Sequence, residues 1–340
     1  MADSNQNPDK QIGFVLSHEQ FSVPELIEFG VAAEHGGFDL ISCSDHFQPW
    51  QANEGHAGMA WITLAALGQR TGRIRMGTMV TCPTIRYSPA VVAQAFATLG
   101  QLYPGRMYLG LGSGEALNEE AATGVWEEWA ERSQRLVEAT DLIRELWTGH
   151  RVEHDGQHYR VHARLYDVPG EPIPIFMAGN GPKALHRCGE HGDGVISDPK
   201  TWQQSRSQFE AGAKAAGKDP NRMPVLMENF VVVGDRKMAQ AGAQLWRFLP
   251  KAWEGYLDIR DPEAIEQRAM AEVPVDQVLE DWVVGTDPEQ HVEGLMNLFD
   301  MGATTVLVHA AQQDQRAAIA FYAERVLPAV RQRLHTSTAA

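Results

Sequence analysis

Leu40-Ile41-Ser42-Cys43-Ser44-Asp45-His46-Phe47-Gln48-Pro49-Trp50 is the stretch on which the reading of this chain turns. Leu40–Cys43 has the apolar run of a buried strand, and it leads directly into an acid, an imidazole and an indole. The glycine-punctuated segment 53–58 follows. A strand that ends in a polar loop is how α/β enzymes present their chemistry. The bland alternative is a buried His tied to a neighbouring carboxylate, with the Trp filling core. Residue types alone leave the two open.

The same strand-then-helix unit recurs on both sides. Residues 12–17 form an apolar run, and Val23-Pro24-Glu25 opens a helix that Gly36-Gly37 stops. Further strands are expected at 74–80, 106–112, 173–178, 194–197, 224–233 and 304–309, with helices between them. The clearest helix has Val91, Val92, Ala95, Phe96, Leu99 and Leu102 on one face. The alternation breaks at 149–172, where Asp155-Gly156 signals a hairpin. It breaks again at 250–274, which reads as irregular. Residues 275–282 read as a helix, and 335–340 as a frayed end. Eight strands alternating with helices imply a parallel sheet, most simply a closed (β/α)8 TIM barrel over 12–334 with two insertions. An open doubly wound sheet is the alternative, weakened by the absence of G-x-G-x-x-G after the first strand.

Composition narrows the class. The 340 residues carry a net charge of −15, which argues against nucleic-acid or anionic-membrane partners. It also means that an anionic ligand needs a local cluster of donors. No apolar run reaches the roughly 18–20 residues of a membrane span, and the polar leader 1–11 lacks the apolar core of a signal peptide. Cys43, Cys82 and Cys188 are three and far apart, which suggests a reduced, cytoplasmic setting. No metal is expected, since no H-E-x-x-H or close His/Cys set occurs.

The strand ends are polar or glycine-rich throughout: Ser17-His18-Glu19, Asp45-His46, Met79-Val80-Thr81-Cys82, Gly112-Ser113-Gly114-Glu115, Ala178-Gly179-Asn180-Gly181, Ser197-Asp198 and His309. Packing does not explain such a series, so this face is the candidate site. The Gly112–Glu115 turn allows close backbone approach to a flat or anionic ligand. Glu115 could equally be an acid favoured at a helix N-terminus. Gly179-Asn180-Gly181-Pro182 makes a phosphate cradle or an ordinary cap. Arg86 and Lys183, near these loops, read as solvated charges.

Ser44 to Trp50 together with Gly112-Ser113-Gly114-Glu115-Ala116-Leu117-Asn118-Glu119 resembles the coenzyme F420-dependent glucose-6-phosphate dehydrogenase group of the luciferase-like superfamily. Thr84-Ile85-Arg86-Tyr87-Ser88-Pro89-Ala90-Val91-Val92-Ala93-Gln94-Ala95-Phe96-Ala97 and Leu165-Tyr166-Asp167-Val168-Pro169 fit it too. Ser17-His18-Glu19-Gln20-Phe21, with Asn53-Glu54-Gly55-His56-Ala57-Gly58, is most similar to the hydroxymycolic acid dehydrogenase branch.

The resemblance implies a barrel that binds coenzyme F420 at its C-terminal face and acts on a small-molecule alcohol or sugar, as a homodimer. His46 would be the general base while hydride passes to deazaflavin C5. Asp45 would contact the cofactor and help place His46, Trp50 would steady the reacting carbon, and Glu115 would donate near the reduced ring. Met79-Val80 falls where the group has a non-prolyl cis peptide. Cys82, Gly112, Asn118, Ala178, Gly179, Asn180 and Gly181 would complete the cofactor site. Glu19, Trp50, Lys200 and Tyr256 would meet substrate.

One departure bears on the substrate. The places of the group's phosphate-holding lysines and arginine read here as Thr201 (beside Lys200), Tyr256 and Asp281, with Arg260 and Lys251 as possible substitutes. An acid at the third place repels a phosphate dianion, so the expected substrate is uncharged. An FMN-dependent monooxygenase of the same superfamily is the rival.

Overall fold

The computed structural model describes residues 10–338; residues 1–9, most of the polar leader, and 339–340 lie outside the described residues. The strands are β1 (Gln11–Leu16), β2 (Leu40–Cys43), β3 (Arg75–Thr78), β4 (Met107–Leu111), β5 (Val152–Asp155), β6 (Arg160–Ala163), β7 (Ile175–Ala178), β8 (Gly194–Ile196), β9 (Val225–Val233), β10 (Val283–Gly285) and β11 (Thr305–Ala310). β9-β11-β1-β2-β3-β4-β7-β8 are neighbours in that order, and β8 pairs with β9. That last pairing closes an eight-stranded parallel barrel and removes the open-sheet alternative. β10 lies outside the ring, added to β9.

Alternation along each strand builds two cores. Phe14, Ile41, Leu109, Met177, Met227 and Val308 point outward, into the layer shared with the helices. Their neighbours Val15, Leu40, Tyr108, Phe176, Leu226 and Leu307 point inward and plug the lumen. Above this plug the inward positions turn polar. Ser17, Ser44, Glu228 and His309 therefore come together at the C-terminal mouth by register alone.

Both insertions serve that mouth. β5 and β6 form the expected antiparallel hairpin, and the Tyr159 hydroxyl donates to the carbonyls of Pro83 and Thr84, each at 3.0 Å. The second insertion is more ordered than its sequence suggests. A helix occupies Pro262–Glu272, started by an Asp261 carboxylate that accepts from the Glu263 N–H. It packs a separate core of Phe248, Tyr256, Ile265 and Ala269. The helix expected over 275–282 spans only Val275–Val278, followed by a single 3-10 turn, Leu279–Asp281. The chain then extends into β10, with Trp282 stacked on Phe230. The closing helix runs to Thr338, past the point where fraying was expected.

Candidate active site

His46 follows β2 at the mouth, its side chain 9% exposed. Nδ1 stands 3.2 Å from the Gln48 carbonyl and 3.3 Å from the Asn118 amide nitrogen; Nε2 faces Glu19 Oε1 at 3.5 Å. A neutral ring can donate from Nδ1 to Gln48 and leave the Nε2 lone pair free. A protonated ring finds an acceptor at each nitrogen. Glu19 is buried, and its other oxygen accepts from Ser17 Oγ at 2.9 Å and Ser44 Oγ at 2.7 Å. Burial works to raise the Glu19 carboxyl, but His46 and the Ser44 hydroxyl outweigh it and hold the group below its ordinary value. Trp50 lies 5.2 Å from His46, between centroids, and stacks on Phe248 at 4.6 Å.

Asp45 is turned the other way. Its Oδ2 accepts from Thr81 Oγ1 at 2.6 Å and Trp61 Nε1 at 3.0 Å; Oδ1 faces the Tyr87 hydroxyl at 3.4 Å and Arg86 Nη2 at 3.5 Å. These four donors take up a carboxylate that is 2% exposed. Asp45 thus pins the β2, β3 and Arg86 loops together. Arg86 is not a solvated charge. Its side chain is 9% exposed, stacked on Tyr87 and set between Asp45 and Glu119. Glu119 accepts from the Arg86 N–H, and burial pushes its carboxyl up to about 7.

The β3, β4 and β7 side of the mouth is the half suited to a cofactor. The Met79–Val80 peptide is cis. Gly112 faces it closely: a Cβ there would stand 2.5 Å from Val80 Cγ2. Arg132 Nη1 donates to the carbonyls of Ser113 and Gly114 and so fixes the turn. Cys82 is buried under Gly114, its Sγ 2.9 Å from Thr84 Oγ1. Glu115 is half-buried, and Asn118 Nδ2 donates to its Oε2 at 3.1 Å. Asn118 Oδ1 accepts from the Phe47 N–H at 2.8 Å, so one amide ties Glu115 to the His46 loop. At β7, Gly179-Asn180-Gly181 leads into the helix Pro182–His191, which no side chain caps. Its first N–H groups suit a phosphate. A glycine backbone turn, an uncapped helix start and a half-buried carboxyl fit a phosphorylated, flat-ringed cofactor.

The β9, β11, β1 and β2 side of the mouth carries a second set of polar groups. Glu228 Oε1 lies 2.6 Å from His309 Nδ1, and the Glu228 side chain, 31% exposed, faces the mouth. His309 stacks on Phe230 at 4.2 Å. Neither Glu228 nor its partnership was singled out from sequence. The register of β9 and β11, Val308 opposite Asn229 and His309 opposite Phe230, is what brings the two together.

Two expected substrate residues are otherwise engaged. Tyr256 is fully buried in the insertion core, behind Phe248, and its hydroxyl donates outward to Glu272 Oε2 at 3.2 Å. It packs the insertion instead of meeting substrate. Lys200 is exposed and held 2.6 Å from Asp281. Arg260 and Lys251 are engaged by Glu120 and Glu272.

Residues 9–305 match the family model described as luciferase-like monooxygenase. The chain belongs to that family. Among luciferase-like relatives, it is 46% identical over 323 residues to the F420-dependent hydroxymycolic acid dehydrogenase of Mycobacterium tuberculosis, covering 94% of this chain and 88% of that protein. It is 40% identical over 331 residues to the F420-dependent glucose-6-phosphate dehydrogenase of Nakamurella multipartita, covering 95% and 97%. In three dimensions it resembles an F420-dependent secondary alcohol dehydrogenase solved with an F420–acetone adduct. That match has a TM-score of 0.89 at 32% identity, over 95% of this chain and 99% of the other.

Proposed function

We propose that this luciferase-like enzyme oxidises the carbinol of an uncharged alcohol or sugar hemiacetal, with His46 as general base. The relatives and the solved neighbour make it an F420-dependent oxidoreductase acting on CH–OH groups. Bound F420 supplies a hydride acceptor, its deazaflavin ring. The chain supplies the rest. Nε2 of His46 takes the hydroxyl proton as the carbinol hydride leaves. Glu19 and the Gln48 carbonyl then hold the imidazolium from both sides, which favours proton removal in the transition state. Trp50 walls the reacting carbon, and the insertion core keeps water from it. Glu115, positioned by Asn118, would be the carboxyl that hydrogen-bonds to the bound ring.

The observation that supports the base assignment is the His46 ring at the mouth, set between the Glu19 carboxylate, which Nε2 faces, and the Gln48 carbonyl, which Nδ1 faces. The uncharged substrate is supported by three engaged cations, Lys200, Arg260 and Lys251, and by Glu228 in the substrate half. The reading extends to a homodimer in the cytoplasm. Exposed Met59, Ile62, Val91 and Leu102 on neighbouring helices offer an apolar face, and three buried free thiols suit a reducing compartment. The test is a screen of neutral alcohols and sugars that follows loss of deazaflavin absorbance. Turnover only with FMN, and with oxygen consumed, would sink the proposal.

A further inference from the structure

Glu228 and His309 meet at the barrel mouth, and the base assignment uses neither. Leu307 stands opposite Glu228, and His309 opposite Phe230, so the pair are diagonal neighbours on the inward face of β9 and β11. Their 2.6 Å contact is not needed to join the strands, which are already registered from Thr305 through Ala310. What it does is aim a carboxylate. The His309 side chain is 3% exposed and that of Glu228 31%, so the ring is the buried support and the acid is the presented group. Glu228 Oε1 is taken up by His309 Nδ1; Oε2 makes no hydrogen bond among the described residues.

An unbroken run of aromatic rings joins this carboxylate to His46. Trp50, beside His46, stacks on Phe248 at 4.6 Å; Phe248 lies 6.3 Å from Trp246, and Trp246 lies 5.3 Å from Phe230. Phe230 stacks on His309 at 4.2 Å and on Trp282 at 5.3 Å. Trp50, Phe230 and Trp282 are half-buried, which leaves part of each ring uncovered. The run is assembled at a cost, since His309 Nε2 and Trp246 Nε1 are buried in it without a hydrogen-bond partner. Aromatic surface with an imidazole at one end and a carboxylate at the other is the lining of a small-molecule site. The rings cover C–H surface, and the few polar groups fix orientation.

β9, β11, β1 and β2 are consecutive around the barrel, so three strand spacings of about 4.8 Å separate the strand of Glu228 from the strand that leads into His46. With Glu228 reaching inward, one small polyhydroxylated molecule can span the two. We infer that Glu228 is a specificity-determining residue: Oε2 accepts a substrate hydroxyl remote from the carbinol that meets His46, so the site selects neutral polyols and sugars over monohydric alcohols. His309 is its positioning residue. A hydroxyl bonds more strongly to a carboxylate than to a neutral acceptor. A substrate that lacks the hydroxyl covers the carboxylate and leaves it unpaired, which is the stronger source of discrimination.

The inference rests on the uncharged-substrate reading, and paired substrates separate the two. Steady-state kinetics with F420 compare cyclohexanol with the cyclohexanediols, and glucose with its monodeoxy analogues. Wild type should favour a compound that carries the second hydroxyl by about tenfold or more in kcat/KM. Glu228→Ala should erase that preference, through KM more than kcat, because the bond is made equally in ground and transition states. Glu228→Gln keeps an acceptor without the charge and should retain part of it. His309→Phe preserves the stack on Phe230 but releases Glu228, and should weaken the same preference. F420 dissociation constants within about twofold of wild type report an intact fold in each variant. No preference in wild type, or the same preference in both Glu228 variants, would overturn the Glu228 assignment alone. Oxidation of none of these neutral compounds would overturn the uncharged-substrate reading, and the inference with it.

Discussion

Nε2 of His46 and Oε1 of Glu19 stand 3.5 Å apart at the junction of β1 and β2, with Glu19 only 1% exposed. In the proposed mechanism these two residues, which follow neighbouring strands, form one acid–base unit whose halves can be tested apart. His46→Asn should lower kcat by about 10²–10⁴ while the F420 dissociation constant moves only a few-fold. Retention of kcat within a few-fold would remove His46 from the base role.

Glu19→Gln should lower kcat more than KM, because it removes the charge that steadies the imidazolium. Its carboxyl is held below the ordinary value, so its stabilising contribution is present above that value and is lost as pH falls through the folded one. Wild type should therefore lose thermal stability on the acid side more steeply than Glu19→Gln. Scanning calorimetry across the acid range compares the two slopes.

Glu119 has the opposite sign. Its carboxyl is raised from 4.5 to about 7, mainly by burial, so the fold favours the neutral form. Stability from this group is full below 4.5 and declines as pH rises towards 7, by about 3 kcal/mol in total. Glu119→Gln should flatten that decline and raise the melting temperature above about pH 8. A variant that melts below wild type there contradicts the sign.

Lys200 is neutralised by Asp281. Wild type should turn over glucose 6-phosphate poorly or not at all. Asp281→Asn should improve that phosphate's KM several-fold with little change for neutral substrates, which steady-state kinetics would register. A submillimolar KM for glucose 6-phosphate in wild type would refute the uncharged-substrate reading.

Phe248 is buried to 1% and stacks on Trp50. Phe248→Ala should cost about 3–5 kcal/mol of stability and loosen the indole beside His46. The expected signature is a kcat loss together with altered tryptophan emission, at unchanged F420 affinity.

The barrel was legible because buried parallel strands are apolar runs that end in polar loops. The Asp155-Gly156 turn was legible for the same local reason. What escaped was short or distant. β10 has three residues and exists through Trp282 packing on Phe230. The helix Pro262–Glu272 did carry a local signal, Asp261 as N-cap with Pro262 at the first turn, masked by the aromatic residues before it. Arg86, Trp61, Thr81 and Tyr87 converge on Asp45 from up to 42 positions away, and no spacing rule encodes that. Tyr256 and Lys200 were placed by likeness to a phosphate site; here one is packed away and the other is bound to an acid.

Trp50 touches the base on one face and the insertion core on the other. The second core is thus mechanically continuous with the proposed base, His46, although most of it lies away from the mouth. Changes at Ile265, Ala269 or Phe248 can therefore reach reactivity through a single ring. A lineage could retune what it oxidises by repacking a remote helix, leaving every reacting group in place.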